Sequence, residues 1–240
     1  MLAKLWDTSD MSIDAPGIRA RNRAALEAEI KEVASRHLAR DGAAGLSLRA
    51  MAREMKLSSS AIYRYVASRD ELLTMLIVDA YDSLADAVEA DVASVTGTGP
   101  RFRAIAHSMH AWALAHPHEY ALLYGSPVPG YHAPAQQTNP PGTRVVHHLM
   151  EALSVLATER SRPTPDARAH VAVASVMDEP EFAGVEIPPE LVARGLASWN
   201  LLLGAISSEV FEQMGPDTVS DPGALFDLTV DLALGLVMGD

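Results

Sequence analysis

Residues 47–69 bring together side chains that can bind a polyanion. Arginine forms paired hydrogen bonds with phosphate or with the edge of guanine, and serine and tyrosine hydroxyls bind phosphate oxygens. The spacing predicts that ten such side chains face outward on two short helices: Arg49, Arg53, Lys56, Ser58, Ser59, Ser60, Tyr63, Arg64, Tyr65 and Arg69. This surface suits the major groove of double-stranded DNA, although a solvated basic helical hairpin would carry the same residues.

The residues between these side chains predict the helices that position them. Ser47 is a good N-cap for a helix over residues 48–55, and Ser58 for a third helix that extends to residue 65. A first helix over residues 21–40 ends at Gly42, which suits a left-handed position. Seven apolar residues form the inner faces: Leu48, Met51, Ala52, Met55, Leu57, Ile62 and Val66. The pattern predicts a helix-turn-helix.

Charge is divided unevenly along the chain. The 240 residues carry a formal net charge of −12. Residues 19–72 contain 11 Lys and Arg against 7 Asp and Glu, whereas residues 73–240 contain 7 against 21. A basic head on an acidic body favours DNA binding through the head, because phosphate repels the body.

The basic segment also resembles a known family. Residues 46–73, LSLRAMAREMKLSSSAIYRYVASRDELL, are similar to the N-terminal domain of the TetR/AcrR repressors, most specifically over residues 63–73. The resemblance implies base contacts by Arg49, Ser59, Ser60, Ala61 and Arg64, and phosphate contacts by Tyr63, Tyr65 and Arg69. The chain departs from the family at Lys56, where glycine is usual, and at Val66, where phenylalanine is usual. A left-handed backbone at Lys56 would be strained by roughly 1 kcal/mol.

The remaining sequence predicts only helices. The longest covers residues 68–95 and opens with a capping box between Ser68 and Glu71. Others are expected over residues 101–115, 117–124, 143–159, 166–177, 189–214 and 222–238, with a hinge at 96–100 and a proline-rich surface loop at 126–142. We therefore predict an all-α protein. It comprises a flexible arm (1–18), a helix-turn-helix DNA-binding domain (19–72) and a helical effector-binding and dimerisation domain (73–240).

Aromatic and thioether side chains of the larger domain can line an adaptable apolar pocket. The predicted ligand-binding residues are Met109, Trp112, Tyr120, Tyr124, Met150, Met177 and Trp199. Plain core packing is the competing interpretation for each of them. The segment 115–125 and the residues around Trp199 are similar to an actinobacterial subgroup of TetR proteins with a Trp-His-Gly signature, from which Asn200 departs. A small, apolar or aromatic effector is therefore expected.

The last helix is apolar on two faces. Leu225, Leu228, Leu232 and Leu236 form one face, and Phe226, Val230, Ala233 and Val237 form the other. A helix with two apolar faces must bury both, so we predict that one face belongs to the core of the protomer and the other contacts a second copy. The homodimer is expected to form through the last two helices. A helix fully buried within one protomer is the alternative.

Several classes of protein are disfavoured by the sequence. The chain has no cysteine, which excludes disulfides, thiolate nucleophiles and zinc fingers. No nucleophile elbow, P-loop or dinucleotide fingerprint is found, so we expect neither an enzyme nor a cofactor. The pairs His107/His110 and His147/His148 have no evident third ligand, so no metal site is expected.

The expected location is the cytoplasm. No apolar run reaches the roughly 18 residues that cross a bilayer, and the first residues do not resemble a secretion signal. No membrane partner is therefore expected. The function predicted is that of a transcription regulator, a homodimeric repressor released from a pseudo-palindromic operator by its effector. The alternative is an all-α carrier or interaction protein whose basic head does not read DNA.

Overall fold

The computed structural model describes residues 17–159, 164–178, 187–215 and 217–239. The predicted arm, residues 1–18, lies outside the described residues except for its last two positions. The described residues form eleven helices and no strand, which confirms the all-α prediction. None of these helices combines the length and the apolar character needed to span a membrane.

The helices follow one another with short connections. They are α1 (Ile18–Gly45), α2 (Leu48–Glu54), α3 (Ser59–Ile62), α4 (Arg69–Val92), α5 (Thr98–Ala115), α6 (Pro117–Tyr124), α7 (Ala135–Gly142), α8 (Arg144–Glu159), α9 (Ala167–Met177), α10 (Pro189–Val210) and α11 (Pro222–Met238). Most bounds agree with the sequence to within a few residues. The differences at α1, α3, α7 and α10 have identifiable causes.

Helices α2 and α3 begin at the predicted caps. The Ser47 hydroxyl accepts a hydrogen bond from the Ala50 amide at 3.4 Å, and the Ser58 hydroxyl accepts one from the Ala61 amide at 3.2 Å. Gly42 has a φ of 68°, as its glycine predicts, but the chain resumes a helical turn after this kink and α1 continues to Gly45. The kink therefore interrupts the first helix without ending it.

The third helix is shorter than predicted. It forms one α-helical turn, and the chain then continues to Tyr65 in a tighter turn, in which the Tyr65 amide donates to the Ile62 carbonyl at 2.9 Å. Hydrogen bonds between residues three positions apart are common at helix ends. The side chains after Ile62 consequently occupy a tighter turn than an α-helix over residues 58–65 would give.

The fourth helix joins the two parts of the molecule. Ser68 caps it by accepting a hydrogen bond from the Glu71 amide at 3.0 Å, and the Glu71 carboxylate accepts one from the Ala67 amide. It ends at Val92, and Gly97, with a φ of 85°, turns the chain directly into α5. The predicted hinge at residues 96–100 is thus wrong in extent, because residues 98–100 already belong to α5.

The predicted proline-rich loop contains a helix. Residues 126–134 are irregular, but α7 occupies residues 135–142 with Pro140 and Pro141 inside it. Proline lacks the amide N–H that an interior helical residue donates. For this reason the high proportion of proline in residues 126–142 predicted a loop. Thr138 is buried, and Gly142 lies so close to α4 that a Cβ there would be 3.3 Å from the Tyr81 ring. Packing against α4 therefore stabilises a helix that its own sequence disfavours.

Buried apolar side chains form two clusters that divide within α4. The N-terminal cluster consists of residues from α1 to α3 with Leu72, Leu73 and Leu76 of α4. The main cluster begins at Ala80 on the same helix and extends to Val237. Because α4 contributes to both, it is the rigid connection between them. The domain boundary at residue 72 stays a prediction.

The last two helices pack side by side. Helix α10 ends at Val210, earlier than predicted, because residues 211–214 form turns and Glu212 adopts a positive φ of 49°. The predicted inner face of α11, residues 226, 230, 233 and 237, is buried. The leucine face, defined as Leu225, Leu228, Leu232 and Leu236, is exposed in the protomer. A fully buried terminal helix is thereby excluded for the single chain.

Candidate nucleic-acid interface

Helices α2 and α3 present one exposed polar face. Arg49 is the second residue of α2, and its side chain is exposed. Ser58, Ser59 and Ser60 at the start of α3 are exposed as well, together with Tyr63, Arg64, Arg53 and Lys56. The face brings together two serine hydroxyls 3.1 Å apart, Oγ of Ser58 and Oγ of Ser60, beside cationic side chains. We call this set of eight exposed side chains the reading face.

Three predicted contact residues, Ala61, Tyr65 and Arg69, are only half-exposed. Ala61 is half-buried in α3. Tyr65 packs partly against the N-terminal cluster, and the Arg23 guanidinium lies 5.9 Å from the centroid of its ring. A guanidinium over an aromatic face at this distance is a favourable contact. Tyr65 therefore connects α1 to the end of the reading face, and only its outer edge is available for DNA.

Arg69 has a role that the sequence did not reveal. Its Nη2 donates hydrogen bonds to the Ala43 and Ala44 carbonyls at 2.8 and 3.4 Å, at the end of α1. A cation beside unpaired carbonyls at a helix C-terminus is stabilising. The phosphate contact of Arg69 stays a prediction, and its replacement would also loosen the packing of α1 on α4.

The turn between α2 and α3 is strained at Lys56. This residue has a φ of 55°, in the left-handed region that favours glycine. The next residue closes the turn, since the Leu57 amide donates to the Ala52 carbonyl at 2.8 Å. The strain expected from the sequence at this departure from the family is thus present in the backbone.

Lys56→Gly should stabilise the protein. Relief of the left-handed strain is worth about 1–2 kcal/mol, from which glycine's greater unfolded-state entropy removes about 0.5–1 kcal/mol. We expect a net gain of about 0.5–1 kcal/mol in the free energy of unfolding, measured by urea denaturation. Lys56→Ala is the matched control, because it removes the same side chain and keeps the strain. Equal stability of the two variants would contradict the strain at this position.

A buried histidine fixes α2 against α1. His37 is buried, and its Nε2 lies 2.8 Å from Oε2 of Glu54 at the end of α2. Arg36 donates to the other carboxylate oxygen of Glu54 at 2.9 Å. The hydrogen bond from Arg36, and then that with His37, lower the pKa of the Glu54 carboxyl. This cluster orients the helix that carries Arg49. No local pattern in the sequence predicts it, because Glu54 lies 17 positions from His37 and 18 from Arg36.

The cluster predicts an acid-sensitive N-terminal domain. A carboxyl whose pKa is lowered by folding contributes stability above its unfolded pKa, and this contribution is lost as the pH falls through the folded value. Thermal unfolding of the wild type should therefore show a loss of stability from about pH 5 downward. Glu54→Gln should be less stable than the wild type at neutral pH, and its stability should fall less steeply as the pH is lowered. Parallel pH profiles for the two proteins would contradict this role of Glu54.

The seven residues predicted to bind a ligand lie mainly in the core. Met109, Trp112, Tyr120 and Met150 are buried in the main cluster, Tyr124 and Trp199 pack against it, and Met177 is exposed on α9. Two of them have internal hydrogen bonds: the Tyr120 hydroxyl contacts Oγ of Ser207 at 2.8 Å, and the Trp112 indole donates to Ser83 at 3.0 Å. Their ligand role stays a prediction, and the packing assigns the buried ones to the core.

Two cavities lie elsewhere in the larger domain. One, of about 500 Å³, lies between the outer sides of α10 and α11 and is lined by Leu201, Gly204, Met214 and Leu225 among others. The other, of about 420 Å³, lies between α4, α6 and α7 and is lined by Tyr81, Leu122 and Tyr131 among others. Both volumes fall in the range of small-molecule sites. Neither cavity is lined by any of the seven predicted residues.

Ion pairs attach α4 to the larger domain. Arg144, at the start of α8, donates to Asp82, Asp86 and Glu89 of α4 at 2.6 to 3.0 Å. The pKa of the Arg144 guanidinium is raised by these hydrogen bonds, chiefly that with Glu89, whose own pKa is lowered. One turn nearer the N-terminus of α4, Lys31 of α1 contacts Asp79 at 2.6 Å. Ion pairs thus attach α4 both to α8 and to α1.

Comparison with known proteins gives a consistent result across the chain. A family model described as the C-terminal domain of tetracyclin repressor-like proteins matches residues 102–233. HTH-type transcriptional regulators of Mycobacterium bovis and Mycobacterium tuberculosis are each 42% identical over 224 residues, which are 92% of this chain and 96% of the relative. The likeness therefore includes the N-terminal part as well as the larger domain.

Solved structures share the fold. A protein described as regulatory, SCO4313, is 34% identical, with a TM-score of 0.75 over 90% of this chain and 98% of that one. The transcriptional regulator FadR of Bacillus subtilis, solved in complex with stearoyl-CoA, is 11% identical with a TM-score of 0.55, over 89% of this chain and 98% of that one. The second likeness is one of fold alone.

Proposed function

Because the chain belongs to the TetR family of helix-turn-helix transcription regulators, we propose that it is a cytoplasmic, homodimeric repressor, without enzymatic activity, that a small effector releases from a pseudo-palindromic operator. DNA-binding transcription regulation is the function of the family. The observation that carries the proposal is the reading face, in which cationic and hydroxyl side chains are exposed together on an otherwise acidic chain.

We assign two kinds of contact to the reading face and to the half-buried Ala61, Tyr65 and Arg69 beside it. Arg49 and Arg64, with Ser59, Ser60 and Ala61, lie against base edges in the major groove, where arginine pairs best with guanine. Ser58, Tyr63, Tyr65 and Arg69 lie at the phosphate backbone, with Lys56 as an additional cation. This division is supported by the exposure of the α3 side chains and by the half-buried positions of Tyr65 and Arg69 beside α1.

A second copy covers the leucine face in the proposed dimer. Leu228 and Leu232 are 62% and 67% exposed, and the other two leucines of the face are exposed as well. Such exposure is unusual for leucines that lie together on one face of a helix. The neighbouring side of α10 exposes Leu201 and Gly204, so the two helices together offer a continuous apolar surface. Two such pairs would form a four-helix bundle about a two-fold axis.

The position of α4 supports the proposed release by an effector. This helix contributes to both apolar clusters, so a change in its tilt must move α2 and α3 of each protomer. A ligand that prefers a dimer with a different separation of its two reading faces weakens DNA binding by its difference in affinity for the two states. FadR, with the same fold, binds an acyl-CoA, which supports a ligand-responsive larger domain.

Binding to DNA upstream of the chain's own gene tests the proposal. Fluorescence anisotropy should detect a defined site with a nanomolar-range affinity, and the logarithm of the association constant should fall steeply with the logarithm of salt concentration. An interaction protein or carrier with a basic head would bind DNA weakly and without preference. Equal affinity for the upstream fragment and for scrambled DNA would therefore count against a repressor.

A further inference from the structure

We propose that the cavity between α4, α6 and α7 is the effector site and that it accepts a neutral molecule with both apolar and hydrogen-bonding groups. This inference rests on the proposed function, since an effector is needed only if the protein is ligand-responsive. We call the cavity the junction cavity, because it lies where the larger domain meets the N-terminal cluster. Its volume is about 420 Å³.

The lining of the junction cavity sets the class of ligand. Its apolar part comes from Ile77, Leu122, Leu123 and Val128, and its polar part from hydroxyl and amide groups. Among the residues that the structure describes, no charged side chain lines it. A carboxylate, phosphate or ammonium group would lose its hydration there without a counter-charge, and this is costly. The acyl-CoA seen in FadR, with its phosphates, therefore does not fit this lining.

One lining group is suited to orienting such a ligand. Tyr81 of α4 faces the cavity, and burial raises the pKa of its phenol, so the hydroxyl remains protonated at neutral pH. A protonated phenol donates one hydrogen bond and accepts others. Ser126 and Asn139 add further hydrogen-bonding groups to the wall. A hydroxyl, carbonyl or aromatic amine group on a neutral ligand would thus find a partner.

The junction cavity is connected to the start of α4 through Tyr131. This residue lines the cavity, and its hydroxyl donates to Oγ1 of Thr74 on α4 at 2.9 Å, while Thr74 donates to the Asp70 carbonyl at 2.9 Å. Tyr131 also packs against the N-terminal cluster, as does Leu122 from the same wall. A ligand that displaces Tyr131 would therefore disturb the hydrogen bonds of Thr74 at the start of α4, immediately after the helix-turn-helix.

The junction cavity also adjoins the ion pairs between Arg144 and α4. Gly142 and Thr143 line it, and the following residue is Arg144, which is bonded to Asp82, Asp86 and Glu89. The ligand would thus lie between two attachments of α4. The larger cavity between α10 and α11 lacks such a connection, because none of its lining residues belongs to α1–α4 and it adjoins the leucine face.

Binding of N-phenylnaphthylamine, a neutral fluorescent probe with one N–H group, tests the site in the full-length protein. Ala133→Trp places a large ring in the exposed wall and should weaken probe binding at least about ten-fold. Ala135→Trp, also exposed but outside the lining, is the matched control and should bind as the wild type does. Met214→Trp blocks the α10–α11 cavity instead and should leave the affinity unchanged.

Each outcome of the titration decides the site. Loss of binding only in Ala133→Trp supports the junction cavity. Loss in Met214→Trp with none in Ala133→Trp would assign the probe to the other cavity and overturn the proposal, and so would the absence of saturable binding to the wild type. Because the titration contains no DNA, a failure to bind any operator would refute the proposed repressor and leave this result standing.

Hydrogen exchange with the same probe tests the connection. Saturating probe should change the exchange of amides in residues 68–76 several-fold in the wild type, because the ligand acts on Tyr131. Tyr131→Phe keeps the ring and removes only the hydroxyl that bonds Thr74, so the probe should still bind while the change in exchange is largely lost. An equal change in both proteins would refute the role of the Tyr131 hydroxyl.

Discussion

Leu228→Arg should convert the protein to a monomer and weaken operator binding by about three orders of magnitude. Leu228 is 62% exposed in the protomer and lies at the middle of the leucine face. An arginine there would bury an unpaired charge in each half of a symmetric interface, which costs several kcal/mol per charge. A monomer then contacts a single half-site, so its affinity approaches that of non-specific binding. Non-specific binding is about 1,000-fold or more weaker than specific binding.

Light scattering measures the mass of each variant in solution, and fluorescence anisotropy measures its affinity for the operator. Val171→Arg is the matched control, because it places the same charge at an apolar residue of α9 that is 81% exposed. It should remain dimeric and bind the operator normally. An unchanged mass for Leu228→Arg would refute an interface through the leucine face, whereas a monomer with full operator affinity would refute the need for two half-sites.

Arg64→Ala should abolish base preference at one position in each half-site. The arginine is exposed beside the first turn of α3, and a bidentate contact to guanine is worth about 1–3 kcal/mol. Because the dimer makes the contact twice, we expect about 30-fold to more than 1,000-fold weaker binding to the preferred operator. Binding to operators already altered at that position should change much less.

Lys56→Ala provides the comparison for Arg64→Ala. A lysine that contacts only phosphate should weaken all sequences alike and reduce the salt dependence, by about one counterion for each half-site. Selection from a randomised operator, followed by titration of the single-position variants, separates the two patterns. If both variants showed the same profile across sequences, Arg64 would have no base-reading role. Arg69→Ala is less suited to this comparison, because the side chain also bonds the α1 carbonyls.

Local signals in the sequence predicted the helix boundaries well. Ser47, Ser58 and Ser68 cap their helices as expected, and Asp166 and Asp221 do the same in the larger domain. A cap needs only a side-chain oxygen and an amide two or three residues later, so the information is contained in adjacent residues. The two faces of α11 were predictable for the same reason, since helical spacing alone separates them.

Tertiary packing decided the features that the sequence did not predict. Helix α7 forms despite its prolines because Thr138 and Gly142 pack against α4. Whether Met109 or Trp112 lines a cavity or fills the core depends on how neighbouring helices approach each other, which spacing does not specify. The junction cavity is lined by residues far apart in sequence, such as Ile77 and Tyr131, and no local pattern connects them.

The placement of the reading face on DNA can be measured directly because the chain has no cysteine. A single cysteine at Ser60, carrying an iron chelate that cleaves nearby DNA, reports the position of α3, and a cysteine at Ser175, exposed on α9, is the control. The repressor account predicts two cleavage clusters from the Ser60 conjugate, about one helical turn or a whole multiple of it apart, and none from the Ser175 conjugate. Equal cleavage from both positions, or none near Ser60 in a complex that binds the operator, would contradict it.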